Sequence, residues 1–272
     1  MLRARLISAA IMLPLVVYGV LALPTDIFAL LLGLVLLAGA WEWSHLVPVA
    51  ATGTRLLYCA AVAVLLWLLW QAGVAAAVAW LLPLALLWWL FALYWLAHPQ
   101  VCARQGAVCV GFKLLAGILV IVPAWAALAE LHASSSDGPM LTLGLFIMVW
   151  LADSGAYFAG RQWGRNKLAP VISPGKTREG VYGGLLASLL FAGIAGAFYS
   201  HSLRWTMACL IVSLVAMLFS VAGDLLESLM KRQSGIKDSG HIIPGHGGIL
   251  DRVDSLLAAA PLFLAGFKWL GL

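Results

Sequence analysis

Residues 74–97 read VAAAVAWLLPLALLWWLFALYWLA, twenty-four positions without one charged side chain. At a rise of about 1.5 Å per residue, a helix of this length covers about 36 Å, enough to cross the ~30 Å hydrocarbon layer of a bilayer. The alternation of apolar and polar positions that a membrane barrel needs is missing. The run therefore predicts a membrane-spanning helix, and the chain around it repeats the pattern.

Of the 272 residues, 64% are hydrophobic and 10% charged, mean hydropathy is +1.02, and there are 13 tryptophans. A soluble core does not absorb that much leucine. Apolar runs at roughly 6–24, 27–43, 56–71, 74–97, 112–131, 141–160, 180–199, 205–224 and 255–271 predict about nine transmembrane helices, hence an all-α polytopic integral membrane protein.

Orientation follows from the cations, because cytoplasmic loops carry the excess of Lys and Arg. With the N-terminus inside, Arg3, Arg5, Arg55, Arg104, Lys113, Arg161, Arg165, Lys167, Lys176, Arg178, Lys231, Arg232, Lys237 and Arg252 fall on the cytoplasmic side, and Arg204 and Lys268 outside. This fourteen-to-two split favours a cytoplasmic N-terminus, an odd number of spans and an outward C-terminus. It places a multi-pass protein in a cytoplasmic membrane, the inner one in a bacterium, with its polar face toward the cytoplasm. Arg3 and Arg5 ahead of an apolar stretch also resemble a signal peptide; the length of that stretch, Pro14 and the spans that follow make an uncleaved first helix the simpler reading. Cys59, Cys102, Cys109 and Cys209 form no CxxC pair and indicate neither disulfide nor zinc.

Composition divides the chain. Residues 1–140 have few charges and read as transmembrane scaffold; residues 141–272 carry dense polar segments at one face and read as the catalytic region. Glycines such as Gly180, Gly183, Gly184, Gly193 and Gly196 read first as helix-packing surfaces, which permit a homodimer and equally explain packing within the chain. No internal repeat is evident.

Three polar segments carry candidate chemistry. In WLADSGAYFAGRQWGRNKLAP, Asp153 lies about eight residues from the basic end of its span, some 12 Å deep. A carboxylate there costs roughly 2.5–3.5 kcal/mol on insertion scales, so it should face the bundle interior and pair with a cation or metal. In the second, Ser173-Pro174-Gly175-Lys176-Thr177-Arg178-Glu179-Gly180, Ser173 or Thr177 suits a helix cap, and Lys176 and Arg178 suit phosphate oxygens near the positive helix end. It lacks the Walker spacing and no strand is expected before it, which argues against a P-loop; the cations also read simply as topology determinants.

The third segment runs from Gly223 through SLMKRQSGIKDSGHIIPGHGGILDRVD, residues 228–254. Asp224, Glu227 and Ser228 sit at helical spacings of three and four and face one cavity. If Asp251 begins the last helix, Asp254 lies one turn on. Lys231, Arg232, Lys237 and Arg252 suit an anionic ligand, and Gly245, Gly247 and Gly248 let backbone approach it. Such hard oxygen donors suit Mg²⁺ bridging phosphates; His246 suits an ordering hydrogen bond better than magnesium ligation.

Taken together, Ser-x-Met-Lys-Arg, Lys237-Asp238, Pro244-Gly245-His246-Gly247-Gly248 and Asp251-Arg252-x-Asp254 resemble the signature of the phosphatidate cytidylyltransferase family. The preceding Gly-Asp-Leu, DSGAYFAG and SPGKT segments match in the same order. The resemblance covers roughly the C-terminal half and implies transfer of a cytidylyl group from CTP to phosphatidate with Mg²⁺, releasing pyrophosphate and giving CDP-diacylglycerol for phospholipid synthesis. It points to Asp224 and Asp251 as metal carboxylates, to which Asp153 and Asp254 are added as supporting acids. Lys237, Asp238 and His246 join the catalytic set, with Asp238 orienting Lys237. Ser173, Lys176, Thr177, Arg178, Ser228, Lys231, Arg232, Gly247, Gly248 and Arg252 form the substrate-binding set. Expected partners are CTP, phosphatidate and membrane lipids, with no nucleic acid. Phosphatidate is already ionised at cytoplasmic pH, so positioning and electrostatic clamping are the main needs. A CTP-dependent lipid kinase and a solute transporter remain the rival readings.

Overall fold

The computed structural model describes residues 2–49, 51–104, 106–200, 202–240 and 247–271, with the side chains of residues 2–9 and 200 outside the description. Among the described residues the chain forms nine helices: α1 (Leu2–Leu21), α2 (Thr25–His45), α3 (Thr52–Ala72), α4 (Val74–Ala97), α5 (Ala107–Ala133), α6 (Gly138–Trp163), α7 (Arg178–Ser200), α8 (Leu203–Gln233) and α9 (Leu250–Leu270). Eight of these, α2 to α9, are long and apolar enough to cross a bilayer, and α1 adds the apolar stretch Ala10–Leu21. The protein is an all-α, multi-pass integral membrane protein, as the hydrocarbon runs require.

Two local features depart from the sequence reading. A short antiparallel hairpin, β1 (Lys167–Ala169) with β2 (Ser173–Thr177), precedes α7, where no strand was expected. Its ends are drawn together by Glu179, whose carboxylate accepts from the backbone N–H of Arg165 (3.1 Å) and from Asn166 Nδ2 (2.6 Å). Helix α8 also runs to Gln233 rather than stopping near residue 224. Hydropathy falls there because the helix becomes two-faced: Leu225, Leu226, Leu229 and Met230 stay buried while Asp224 and Lys231 face a cavity. The helix ends where Ser234 Oγ returns to the Met230 carbonyl (2.8 Å) and Gly235 adopts a positive φ of 73°.

Helix α5 is buried along most of its length and packs against α2, α3, α4, α6 and α9. Tryptophans fasten it to α2: Trp43 Nε1 donates to the Lys113 carbonyl (2.8 Å) and Trp125 Nε1 to the Ala29 carbonyl (2.9 Å). Helices α6 and α7 make the most extensive pair. They can because their facing positions are glycine or alanine; a Cβ on Gly155 would lie 2.7 Å from the Gly183 carbonyl oxygen, and one on Gly183 would lie 2.9 Å from that of Gly155. Gly193 and Gly196 face Leu210 and Thr206 on α8. The glycine faces of α7 are thus taken up within the chain.

Candidate active site

Antiparallel succession brings the end of α6, the hairpin, the start of α7, the end of α8 and the start of α9 to one face of the bundle. There they enclose a cavity of about 610 Å³, lined among others by Asp153, Arg161, Lys176, Thr177, Asp224, Glu227, Lys231, Asp251, Arg252 and Asp254. Five carboxylates and four cations therefore share one chamber, and the lining deeper along the helices is apolar, with Leu185, Met217 and Val221.

The ionic order is specific. Lys176 reaches from β2 to pair with Asp224 on α8. Lys231, on α8, bridges Glu227 (2.9 Å) and Asp251 Oδ1 (2.7 Å), linking α8 to the first turn of α9. The other oxygen of Asp251 accepts from the backbone N–H of Gly248 (2.9 Å) and of Ser239 (3.3 Å). Asp254 follows one turn later, adjacent to Glu227 and within electrostatic range of Asp224. Asp153 makes no hydrogen bond or ion pair among the described residues; Lys176 and Arg252 attract it across the cavity and Asp224 repels it.

Thr177 takes the capping place at α7, its Oγ1 accepting from the Gly180 N–H at 3.1 Å, whereas Ser173 pairs with Ala169 in the hairpin. Ser228 donates to Asp224 at 3.4 Å from just behind the cavity wall. Several expected residues stand apart from the chamber. Arg178 is exposed at the start of α7, and Arg232 Nε donates to the Ile172 carbonyl (3.1 Å), fastening α8 to the hairpin turn. Lys237 and Asp238 follow the positive-φ Gly235; both are exposed and neither lines the cavity among the described residues. Gly247 has φ 85° and Gly248 offers its N–H to Asp251, so both shape backbone beside the cavity rather than line it. His246 lies outside the described residues.

Reading the sequence also left residues out. Glu227 was placed on the cavity face by spacing but given no role, and here it holds Lys231. Arg161 enters the lining one turn beyond Tyr157, whose hydroxyl accepts its NH1 at 3.1 Å. Glu42, from the apolar front half, reaches the start of α9: its carboxylate accepts from the N–H groups of Ile249 (3.1 Å) and Leu250 (2.7 Å). A lone Glu among tryptophans carried no signal of a partner some two hundred residues away.

The donor chemistry of the chamber fits a hard divalent cation: its anionic groups are all carboxylates, with no thiolate or imidazole among the described lining residues. Asp224 and Asp251 are meanwhile each held by a lysine, and no group of three His, Cys, Asp or Glu is gathered at ligating distance among the described residues. The described side chains by themselves therefore form no all-protein metal cage.

The described residues thus define a polytopic helical membrane protein with one mixed-charge chamber among its helix ends. Comparison with known sequences makes this particular. The model of the cytidylyltransferase family matches residues 3–270. The chain is 42% identical over 267 residues to a phosphatidate cytidylyltransferase of Pseudomonas aeruginosa, covering 97% of this chain and 96% of that one. It is 37% identical over 280 residues to that of Haemophilus influenzae, covering 97% of each. A 132-residue stretch is 48% identical to the Staphylococcus haemolyticus enzyme, covering 48% of this chain and 50% of that one. The chain belongs to the cytidylyltransferase family.

Proposed function

We propose that the protein transfers the cytidylyl group of CTP to phosphatidate, giving CDP-diacylglycerol and pyrophosphate. The observation that carries this reading is the chamber itself, in which lysines and arginine stand among carboxylates above an apolar wall. A lipid phosphate at the charged level leaves its acyl chains toward Leu185, Met217 and Val221. The triphosphate of CTP enters the same level from the aqueous side.

In the reaction an ionised oxygen of the lipid phosphate attacks the α-phosphorus of CTP, a new P–O–P linkage forms, and the bond to the β-phosphate oxygen breaks with departure of pyrophosphate. No proton need be removed from the nucleophile. The work of the protein is to hold two anions in line and to neutralise the leaving group. Lys176 and Lys231 are pre-positioned by Asp224 and Asp251, from which each can pass to a phosphate oxygen with little movement. Arg161 and Arg252 add charge at the rim.

Charge counting argues for a metal. Five lining carboxylates against four cations leave one formal negative charge, a poor receptacle for a triphosphate. Asp224 and Asp251, with Asp153 in support, would hold Mg²⁺. When bound, that ion neutralises carboxylate and phosphate charge together and polarises the phosphate oxygens.

The positive-inside rule orients the cavity toward the cytoplasm, with the N-terminus on that side and the C-terminus opposite, and the bacterial relatives support an inner-membrane location. The test is pyrophosphate release by the purified protein in detergent. Release requiring CTP, phosphatidate and Mg²⁺ together is the expected result; release without lipid, or none with all three, would overturn the reading.

A further inference from the structure

Glu42 stands near the end of α2, between Trp41 and Trp43, and is only 3% exposed. A carboxylate so placed is costly unless it is hydrogen-bonded and lies in a favourable potential. No Lys, Arg or His pairs with it among the described residues. Its partners are instead the N–H groups of Ile249 and Leu250 at 3.1 and 2.7 Å, with the Ser239 hydroxyl at 3.5 Å. Those amides open α9, which has no side-chain cap of its own. Orphan N–H groups and the positive end of the helix dipole therefore compensate the buried charge.

The chain is cut to fit around this carboxylate. A Cβ on Gly240 or on Gly248 would stand 2.8 Å from the carboxyl carbon of Glu42, so a side chain at either position would have to displace that carboxylate. Asp251 is the next residue after Leu250, and it binds the N–H groups of Ser239 and Gly248 from the other side. Ser239 and residues 248–250 are thus held between a carboxylate of the cavity and one of the front helices.

We propose that Glu42 is a positioning residue for the reaction: by holding the first amides of α9 it sets the direction of Asp251, and through it Lys231, toward the cavity. This rests on the cavity being the site of cytidylyl transfer. Misplacement of reacting groups by about 1 Å can cost on the order of 10²-fold in rate. Glu42→Gln keeps size and one acceptor but loses the charge and the second acceptor.

Two readouts on the full-length protein in detergent test the proposal. Hydrogen exchange of a peptide covering residues 247–254 reads the grip without reference to activity, and steady-state kinetics reads its consequence. For Glu42→Gln we expect faster exchange in that peptide and a kcat lower by about tenfold or more. Thermal melting should stay near wild type and KM for CTP should change far less than kcat. Unchanged exchange, an unchanged kcat, or a loss of activity that merely follows the unfolded fraction would overturn the proposal. Should Glu42→Gln fail to fold, Gly240→Ala presses on the carboxylate from outside and must give the same pair of changes; wild-type turnover in that variant would equally overturn it. A wild-type protein that grips the peptide but makes no CDP-diacylglycerol would sink the proposed function while leaving the Glu42 contacts demonstrated.

Discussion

Asp251 is the residue on which most of the site converges. One oxygen holds Lys231 and the other gathers the N–H groups of Gly248 and Ser239, so a single carboxylate orients both a cation and a glycine-rich backbone. Asp251→Asn retains an oxygen that can accept from Gly248 but turns the Lys231 contact from attraction to N–H against ammonium. The expected outcome is a protein that inserts and melts much like wild type yet loses activity on the order of 10²-fold or more, the scale of losing one pre-organised electrostatic contact. Michaelis analysis beside a thermal melt checks it; near wild-type turnover would remove Asp251 from the mechanism. Several cavity carboxylates were legible from sequence, because acids spaced three or four apart at the end of a hydrophobic run can share one face. Lys237 and Asp238, which the resemblance assigns to the catalytic set, are exposed and do not line the cavity among the described residues, and their types alone do not fix where they stand.

Elements were read well where hydrocarbon alone decides them. The run at 74–97 coincides with α4, whereas α8 was cut short at residue 224. Averaged hydropathy cannot follow a helix that leaves the bilayer with one face buried and the other turned to a charged cavity. The hairpin before α7 escaped notice because it is only a few residues long and is tied by Glu179 rather than by strand propensity. The α6–α7 crossing positions Asp153 and Arg161 on α6, and it rests on glycine and alanine at the facing positions. Gly183→Ala should therefore lower the melting temperature, since its Cβ meets the Gly155 carbonyl oxygen at 2.9 Å and overpacking costs typically 1–3 kcal/mol. Gly144→Ala, on the same α6 with nothing within 4 Å, should melt unchanged or slightly higher. Equal melting of the two variants would show that the crossing tolerates a methyl group.

At the scale of the whole molecule, the front helices do more than fill the membrane. Helix α5 is the buried post to which α2 is fastened by tryptophan indoles, and α2 in turn carries Glu42 to the start of α9. The membrane architecture could be read from composition because hydrocarbon is expensive anywhere else; this long-range grip could not, because it joins single residues far apart in sequence. The front helices and this grip converge on one charged chamber, and on the proposed function, in which a water-borne nucleotide meets a lipid phosphate there, the bond that breaks in the nucleotide is the decisive quantity. The direct measurement supplies the purified protein with phosphatidate and Mg²⁺ together with CTP labelled at either the α- or the γ-phosphorus, and follows the label into the lipid fraction. The account predicts α label in lipid and γ label in pyrophosphate; γ label in lipid would make the protein a kinase, and no label in lipid from either position would contradict group transfer altogether.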